Sequence, residues 1–407
     1  MMKKYISIIP GIIAALATVS ACIYPFNPEI KASDNRLVIE GDILIGEVST
    51  IQISRVYELG NRDFFGGNGA LAPVDTEIQI ESEDGKHYPP LPVKSNYAKI
   101  DLTNAPDNVR YRLCVYEANS GKHYNSAWMD VTKPATIDNL THHAIERGPH
   151  GSVAIALSMH SNDDSKYYRW SYSETYEYHS QYLATYFYRP PVKDTPTWNN
   201  GYGVIEKFDY GKNNYYCWRT LESSEILLFS TNIQSENRFE DLEFHVIPKE
   251  STKLQEVYYI KVYLQALDEN GYRYWKSLYD NTYQQGNLFS PTPSSMRGNI
   301  LCEEDPDELV LGYISAAKRA TEDLYIDNLD HHYYVYVRDP NKMYYDDPIQ
   351  VPMTDWARKY NSGWAPYTLE IDENFREYIT WLPQWCVDCQ YSGGTKTKPA
   401  GWPRVEE

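Results

Sequence analysis

Cysteines, paired histidines and crowded carboxylates are the residues of this chain whose spacing can decide a chemistry. Six cysteines are present. Cys386 and Cys389 form a Cys-x-x-Cys pair, while Cys217 and Cys302 stand alone. These four can hold zinc as thiolates, cycle as a redox dithiol, or close two disulfides. Zinc sites of this kind use a second close pair and need all four thiolates reduced. A redox Cys-x-x-Cys opens a helix in a thioredoxin-like βαβ setting, and nothing around Trp385 reads that way. Disulfides need only an oxidising compartment. Two disulfides are therefore expected, running from the tail cysteines to Cys217 and Cys302 rather than between Cys386 and Cys389, because long loops constrain the unfolded chain most. Which tail cysteine takes which partner is left open. Cys114 points away from the face shared by Tyr111, Leu113 and Val115 and reads as a thiol on a covered outer face.

Other clusters are poorer. In His142-His143 and His331-His332 adjacent side chains point to opposite faces of an extended chain, a bad start for a shared metal. Glu303, Glu304, Asp305, Asp307 and Glu308 offer the oxygens that Ca²⁺ takes, but not at EF-hand spacing, so they read as a solvated acidic loop. Glu174 and Glu177 would face opposite sides of a strand, which disfavours a glycosidase pair. No nucleophile elbow, zinc-protease helix, phosphate loop or dinucleotide fingerprint occurs. No catalytic residue, metal or cofactor is expected. The aromatic content is 38 Tyr against 10 Phe and 10 Trp. Within residues 179–216, Tyr182, Tyr186, Tyr188, Trp198 and Tyr202 have the chemistry to stack on sugar rings or pack on peptide side chains. They are the candidate ligand contacts, on a long insertion expected to leave a rigid sheet.

The compartment is written at the start of the chain. Lys3 and Lys4 precede an apolar stretch from Ile6 to Val19, and Val19-Ser20-Ala21-Cys22 closes it. This is a bacterial lipoprotein signal, residues 1–21, too short for a permanent span. Cys22 becomes the lipidated first residue, and its acyl chains hold a folded body on a membrane. The formal charge is −18; losing Lys3 and Lys4 makes the mature chain more acidic still. Nucleic acid is excluded as a partner on charge, and anionic headgroups offer no attraction.

The elements that must position these residues read as mainly β. After a tether over 22–35, residues 36–133 form short alternating strands with Asp84-Gly85 as a type I′ hairpin signal, an immunoglobulin-like or transthyretin-like sandwich. Residues 134–407 form a second β-sandwich-like domain. Its best strand is Val257 to Leu267, followed by one helix near 269–282, capped by Asp268 and carrying an apolar stripe of Tyr272, Trp275 and Tyr279. Strands are expected at Leu309 to Ser315 and His332 to Val337, then a Trp-rich tail tied down by its cysteines.

Taken in order, Leu37-Val38-Ile39-Glu40-Gly41, the run Tyr167 to Tyr176, Cys217-Trp218, Gly286-Asn287-Leu288-Phe289, Gly298-Asn299-Ile300 and Cys386-Val387-Asp388-Cys389 with Gly393-Gly394-Thr395 resemble one family. It is domain-of-unknown-function family 4249 of Bacteroidota lipoproteins, and the resemblance runs over essentially the whole mature chain. It implies an outer-membrane lipoprotein associated with a TonB-dependent receptor of the nutrient-uptake type, and it implies no reaction. The acidic run that often follows the lipidated cysteine of surface-exported lipoproteins is missing here, so the leaflet is left open. The expectation is a lipid-anchored, non-catalytic accessory that contacts the receptor or its glycan or peptide cargo. The rivals are a glycan- or peptide-acting hydrolase and a structural envelope protein.

Overall fold

The computed structural model describes residues 36–55, 76–91, 97–161, 165–209, 211–283, 297–337 and 347–403. The signal, Cys22, the tether 22–35 and Gly286 to Phe289 lie outside the described residues.

Alternating Leu, Ile and Val build the first sandwich. Leu37–Gly41, Val48–Arg55 and Tyr97–Asp101 form one sheet, and Thr76–Ser82, His87–Tyr88, Tyr111–Glu117 and Lys122–Ser126 contribute to the other. Leu37, Ile39, Ile51 and Ile100 from one sheet pack on Ile80, Tyr111, Leu113 and Tyr124 from the other. The hairpin at Asp84-Gly85 is present, with Ile80 opposite Tyr88. Only Gly85 takes a positive φ, of 86°, so the turn is not type I′.

The first sandwich is not completed by residues 36–133. Ile300–Cys302 adds an edge strand to Lys122–Ser126, and Ala316–Ala317 pairs in parallel with Ile43–Leu44. Between them the Leu311 N–H donates to the Leu37 carbonyl, and its own carbonyl accepts from the Ile39 N–H, both at 2.9 Å. Ile300, Val310, Ile314 and Ala316 are buried in this core. Residues 300–317, which the sequence reading gave to the second domain, therefore belong to the first, and the Leu309 to Ser315 strand is mostly irregular backbone laid along it.

That seam is tight enough to require glycine. Gly312 has φ +114°, and a Cβ there would stand 1.9 Å from the Ile39 carbonyl oxygen. Gly312→Ala is expected to destabilise the chain by about 3 kcal/mol or more, from backbone strain and overpacking together. Urea unfolding checks it, and an unchanged midpoint would mean the segment does not lie against Ile39.

The second sandwich sets Thr136–Ile145, Ser152–His160 and Arg238–Pro248 against Tyr216–Glu222, Tyr167–His179, Val257–Leu267 and Arg319–Asp327, with Leu227–Ser230 on the flank. One face of the strand Tyr167–His179 supplies Tyr168, Trp170, Tyr172, Tyr176 and Tyr178 to the core. The helix follows at Glu269–Tyr283, its Gly271 N–H capped by Asp268 Oδ1 at 2.8 Å. Tyr272 stacks on Tyr167 at 4.5 Å and Trp275 lies 4.2 Å from the Arg169 guanidinium, so the stripe packs on the sheet. Arg169 also pairs with Asp42 of the first sandwich, whose other oxygen accepts from the Ser315 N–H at 3.3 Å. Arg319 pairs with Glu47, a second tie between the sandwiches.

Residues 179–216 and the tail form a third unit. Tyr186–Arg189 pairs with Val204–Lys207, and Ile349–Gln350, Glu377–Pro383 and Trp364–Ile371 make a sheet beside them. The Thr185 N–H donates to the Tyr367 carbonyl and the Tyr182 N–H to the Cys386 carbonyl, both at 2.8 Å. The insertion is thus not a loop on a sheet, and the tail is more than a wrapping. Residues 332–337, expected as a strand, are irregular and follow the short helix Asn328–His331.

Candidate functional site

The four cysteines expected to pair give one bridge. Cys217 and Cys389 are bonded, with Cα atoms 5.7 Å apart, while Cys302 and Cys386 are not in disulfides. The reason is their placement. Cys302 sits in the core of the first sandwich and Cys386 in that of the third unit, whereas Cys217 and Cys389 both enter the core of the second. Cys386 and Cys389 serve different cores and do not bond. Cys114 is half-buried and not bonded, and burial, with the charge of Glu81, pushes its thiol up to about 12.

Glu174 and Glu177 lie on opposite faces, as their odd spacing requires. Glu174 enters the aromatic core at 4 % exposure. Its Oε1 takes Lys253 Nζ at 2.5 Å, and its Oε2 takes the Tyr258 hydroxyl at 2.9 Å. His245 Nε2 lies 3.3 Å from Oε2 without hydrogen-bond geometry, and the Tyr172 hydroxyl meets His245 Nδ1 at 2.9 Å. Burial opposes ionisation of Glu174, yet the partners His245 and Lys253 carry its carboxyl down to about 2. A carboxylate so strongly held and sealed is a tie between two sheets, not a proton carrier at neutral pH. Glu177 accepts from Trp402 Nε1 at 2.8 Å on the other face.

The acidic loop is exposed to solvent, as expected, with only Glu308 half-buried, and it is also pinned to a neighbouring strand. Four successive residues of the strand Lys122–Ser126 receive it. Lys122 Nζ meets Glu308 at 2.5 Å, His123 Nδ1 meets Glu304 at 2.7 Å, the Tyr124 hydroxyl donates to Glu308 at 3.0 Å, and Asn125 donates to Glu303. Bonds from the backbone and ring of His123 bring Glu304 down to about 2. His123, Glu303 and Glu304 set three ligand atoms within 4.8 Å of one another, all on exposed residues.

The insertion aromatics divide between core and surface. Tyr188 is 5 % exposed and packs with Val351 and Trp381, and Tyr182 packs against the core of Ala184, Leu382 and Cys386. Tyr186 and Tyr202 are half-buried, and the Tyr202 carbonyl accepts from the Tyr188 hydroxyl at 2.8 Å. Trp198 alone of the five is open to solvent, at 43 %.

A cleft of about 730 Å³ opens instead where the two sandwiches meet. Residues 127–132, the start of the helix, and segments 297–299 and 313–316 enclose it. Tyr274 packs on Tyr313 at 5.4 Å, and the Tyr313 hydroxyl donates to Asp268 at 3.2 Å. Burial, then the Asp268 charge, pushes that hydroxyl well up. Asn299 braces the floor, with Nδ2 donating to the Ile314 carbonyl at 2.7 Å and Oδ1 accepting the Ile314 N–H at 3.0 Å. Trp128 stands at the rim, 37 % exposed, with the Arg112 guanidinium 4.8 Å from its ring. Asp130, Arg273 and Arg297 bring both signs of charge to the walls. The sequence did hold one sign of this site: Asn270, Arg273, Tyr274 and Ser277 line the cleft at helical spacing, on a face other than the apolar stripe.

Residues that carry the resemblance turn out to shape the fold. A Cβ on Gly298 would stand 1.6 Å from the Gly312 carbonyl oxygen, and one on Gly394 would stand 2.4 Å from the Tyr178 hydroxyl. Among solved structures, a two-domain fibronectin type III segment of chicken tenascin is similar at 12 % identity and a TM-score of 0.16, covering 58 % of this chain and 92 % of that one. The BSP domain of a biofilm associated protein is similar at 8 % identity and a TM-score of 0.15, covering 86 % of this chain and 77 % of that one. At such scores neither carries an argument; the fold rests on the strand pairing above. No curated protein matches the chain. A family model does match, over residues 23–323, ending before the third unit's sheet and Cys389. With most of its length so matched, the chain belongs to the family described as Domain of unknown function (DUF4249).

Proposed function

We propose that this chain is a lipoprotein anchored to the outer membrane through Cys22, and that it serves a TonB-dependent nutrient-uptake system as a non-catalytic binding component. The cleft between the sandwiches is the surface that meets the receptor or its glycan or peptide cargo. One observation carries this reading: the cleft has the volume of a ligand site and mixes aromatic rings with both signs of charge. The buried carboxylate with the most catalytic look, Glu174, is spent on internal partners. The Val19-Ser20-Ala21-Cys22 signal supports the anchor.

Purification of the intact lipoprotein in mild detergent tests the reading. A stoichiometric barrel partner is expected, and Trp128→Ala is expected to weaken its retention about tenfold. The thermal transition should move by no more than a few degrees, because Trp128 lies at the rim. Turnover of a glycan or peptide panel by the purified chain, or full retention of the partner by Trp128→Ala, would overturn it. For the anchor, Cys22→Ser is expected to leave the membrane fraction or to stay unprocessed.

A further inference from the structure

The two histidine pairs, each unpromising alone, meet in space. Thr136–Ile145 carries His142 at the edge of the second sandwich, and the short helix Asn328–His331 lays His331 beside it. Their ring centroids are 4.6 Å apart, at 79°. Tyr333 completes the group: its ring stacks on His331 at 5.3 Å, and its hydroxyl lies 3.3 Å from His142 Nδ1.

The backbone around His331 is firmly placed. Asp327 caps the helix through the Leu329 N–H at 2.8 Å, and the His332 N–H closes it on the Asn328 carbonyl at 2.8 Å. Asn328 Oδ1 accepts from the Tyr334 N–H at 2.9 Å, and the Val335 N–H donates to the Lys249 carbonyl at 2.9 Å. These bonds fix the backbone that carries His331, and its ring lies against His142 and Tyr333. His331 and His332 are exposed, so the group is open to solutes.

We infer that His142 and His331 form a two-imidazole site for a late first-row divalent ion, Zn²⁺ or Cu²⁺, with Tyr333 as its positioning residue. The chemistry of the donors selects the ion. Neutral imidazole suits zinc and copper, and the site has neither the all-oxygen set that Ca²⁺ and Mg²⁺ require nor a thiolate. A histidine that ligates through one nitrogen usually has the other fixed by an oxygen. The Tyr333 hydroxyl occupies Nδ1 of His142 and leaves Nε2 to the metal. His331, exposed and with its ring 4.6 Å from that of His142, is the second imidazole within reach of such an ion, and water fills the other positions.

Competition of the purified chain against a chromogenic chelator, with Zn²⁺ and Cu²⁺ as probes, tests the site. One equivalent is expected to bind at micromolar free metal. His331→Ala, a surface change, should abolish that equivalent, and Tyr333→Phe should weaken it roughly tenfold. With Cu²⁺, electron paramagnetic resonance should report imidazole nitrogens that disappear in His142→Ala. His123→Ala, which removes the cluster with Glu303 and Glu304, should leave the affinity unchanged. No binding at tens of micromolar metal overturns the proposal. So does binding that survives His331→Ala or is lost in His123→Ala. None of these readouts involves the cleft, so they stand or fall apart from the uptake reading.

Discussion

Glu174→Ala is expected to cost about 3–5 kcal/mol of stability, because it strands Lys253 beside a core that no longer offers it a counter-charge. Tyr258 and His245 lose a partner in the same step. Glu174→Leu combined with Lys253→Met removes both charges and should recover much of that loss, as apolar replacements of buried pairs often do. The same carboxylate gives the protein an acid limb. Its folded pKa, about 2, lies below the ordinary carboxylate value of 4.5. Its contribution is thus complete above about pH 4.5 and disappears as pH falls from there toward 2. Urea midpoints measured between pH 7 and 2 should fall across that window in the native chain and fall less in Glu174→Gln. An identical fall in both would place the acid limb elsewhere.

Loss of the Cys217–Cys389 bridge should be comparably damaging. It closes a loop across a sequence separation of 172, for which chain entropy alone gives about 5 kcal/mol. Cys217→Ala with Cys389→Ala is expected to lower the urea midpoint sharply. The third unit should loosen first, since Cys389 lies in the turn that joins its last strand to the second sandwich. Cys302→Ala and Cys386→Ala should have only the smaller effect of a trimmed core. Peptide mapping without reductant should return this link as the only one among Cys217, Cys302, Cys386 and Cys389. A Cys386 to Cys389 link, or a second bridge to Cys302, would contradict the arrangement described here.

Local pattern was legible in this sequence and distant assembly was not. Val257–Leu267 and the helix after it could be read because alternation, an Asp268 cap and an i, i+3, i+4 stripe are short-range signals. The seam at 300–317 carries no such signal. Its residues make single bonds to Leu37, Ile39 and Ile43 from far along the chain, and a buried Ile314 looks the same whichever core it enters. Tyr182 and Tyr188 look like candidate ligand contacts in the sequence for a related reason. The apolar faces that cover them, Leu382 and Trp381, lie almost two hundred residues later. The cysteines were half legible, because spacing and compartment bear on oxidation state but not on which of three cores a side chain enters. The histidine group could not be read at all, since each pair is unhelpful until β-pairing and a short helix bring one member of each together.

The late seam also sets an order of events in synthesis. The first sandwich leaves the ribosome early, but Ile43–Leu44 has no partner until Ala316–Ala317 has been made. At about 5–20 residues per second that wait is on the order of tens of seconds. During it the nascent chain exposes an unpaired strand and an open apolar layer where Ile300, Val310 and Ile314 will sit. A chain ended before residue 317 is therefore expected to expose that apolar layer rather than to close as a small folded domain, which dye binding to a fragment ending at residue 299 would check.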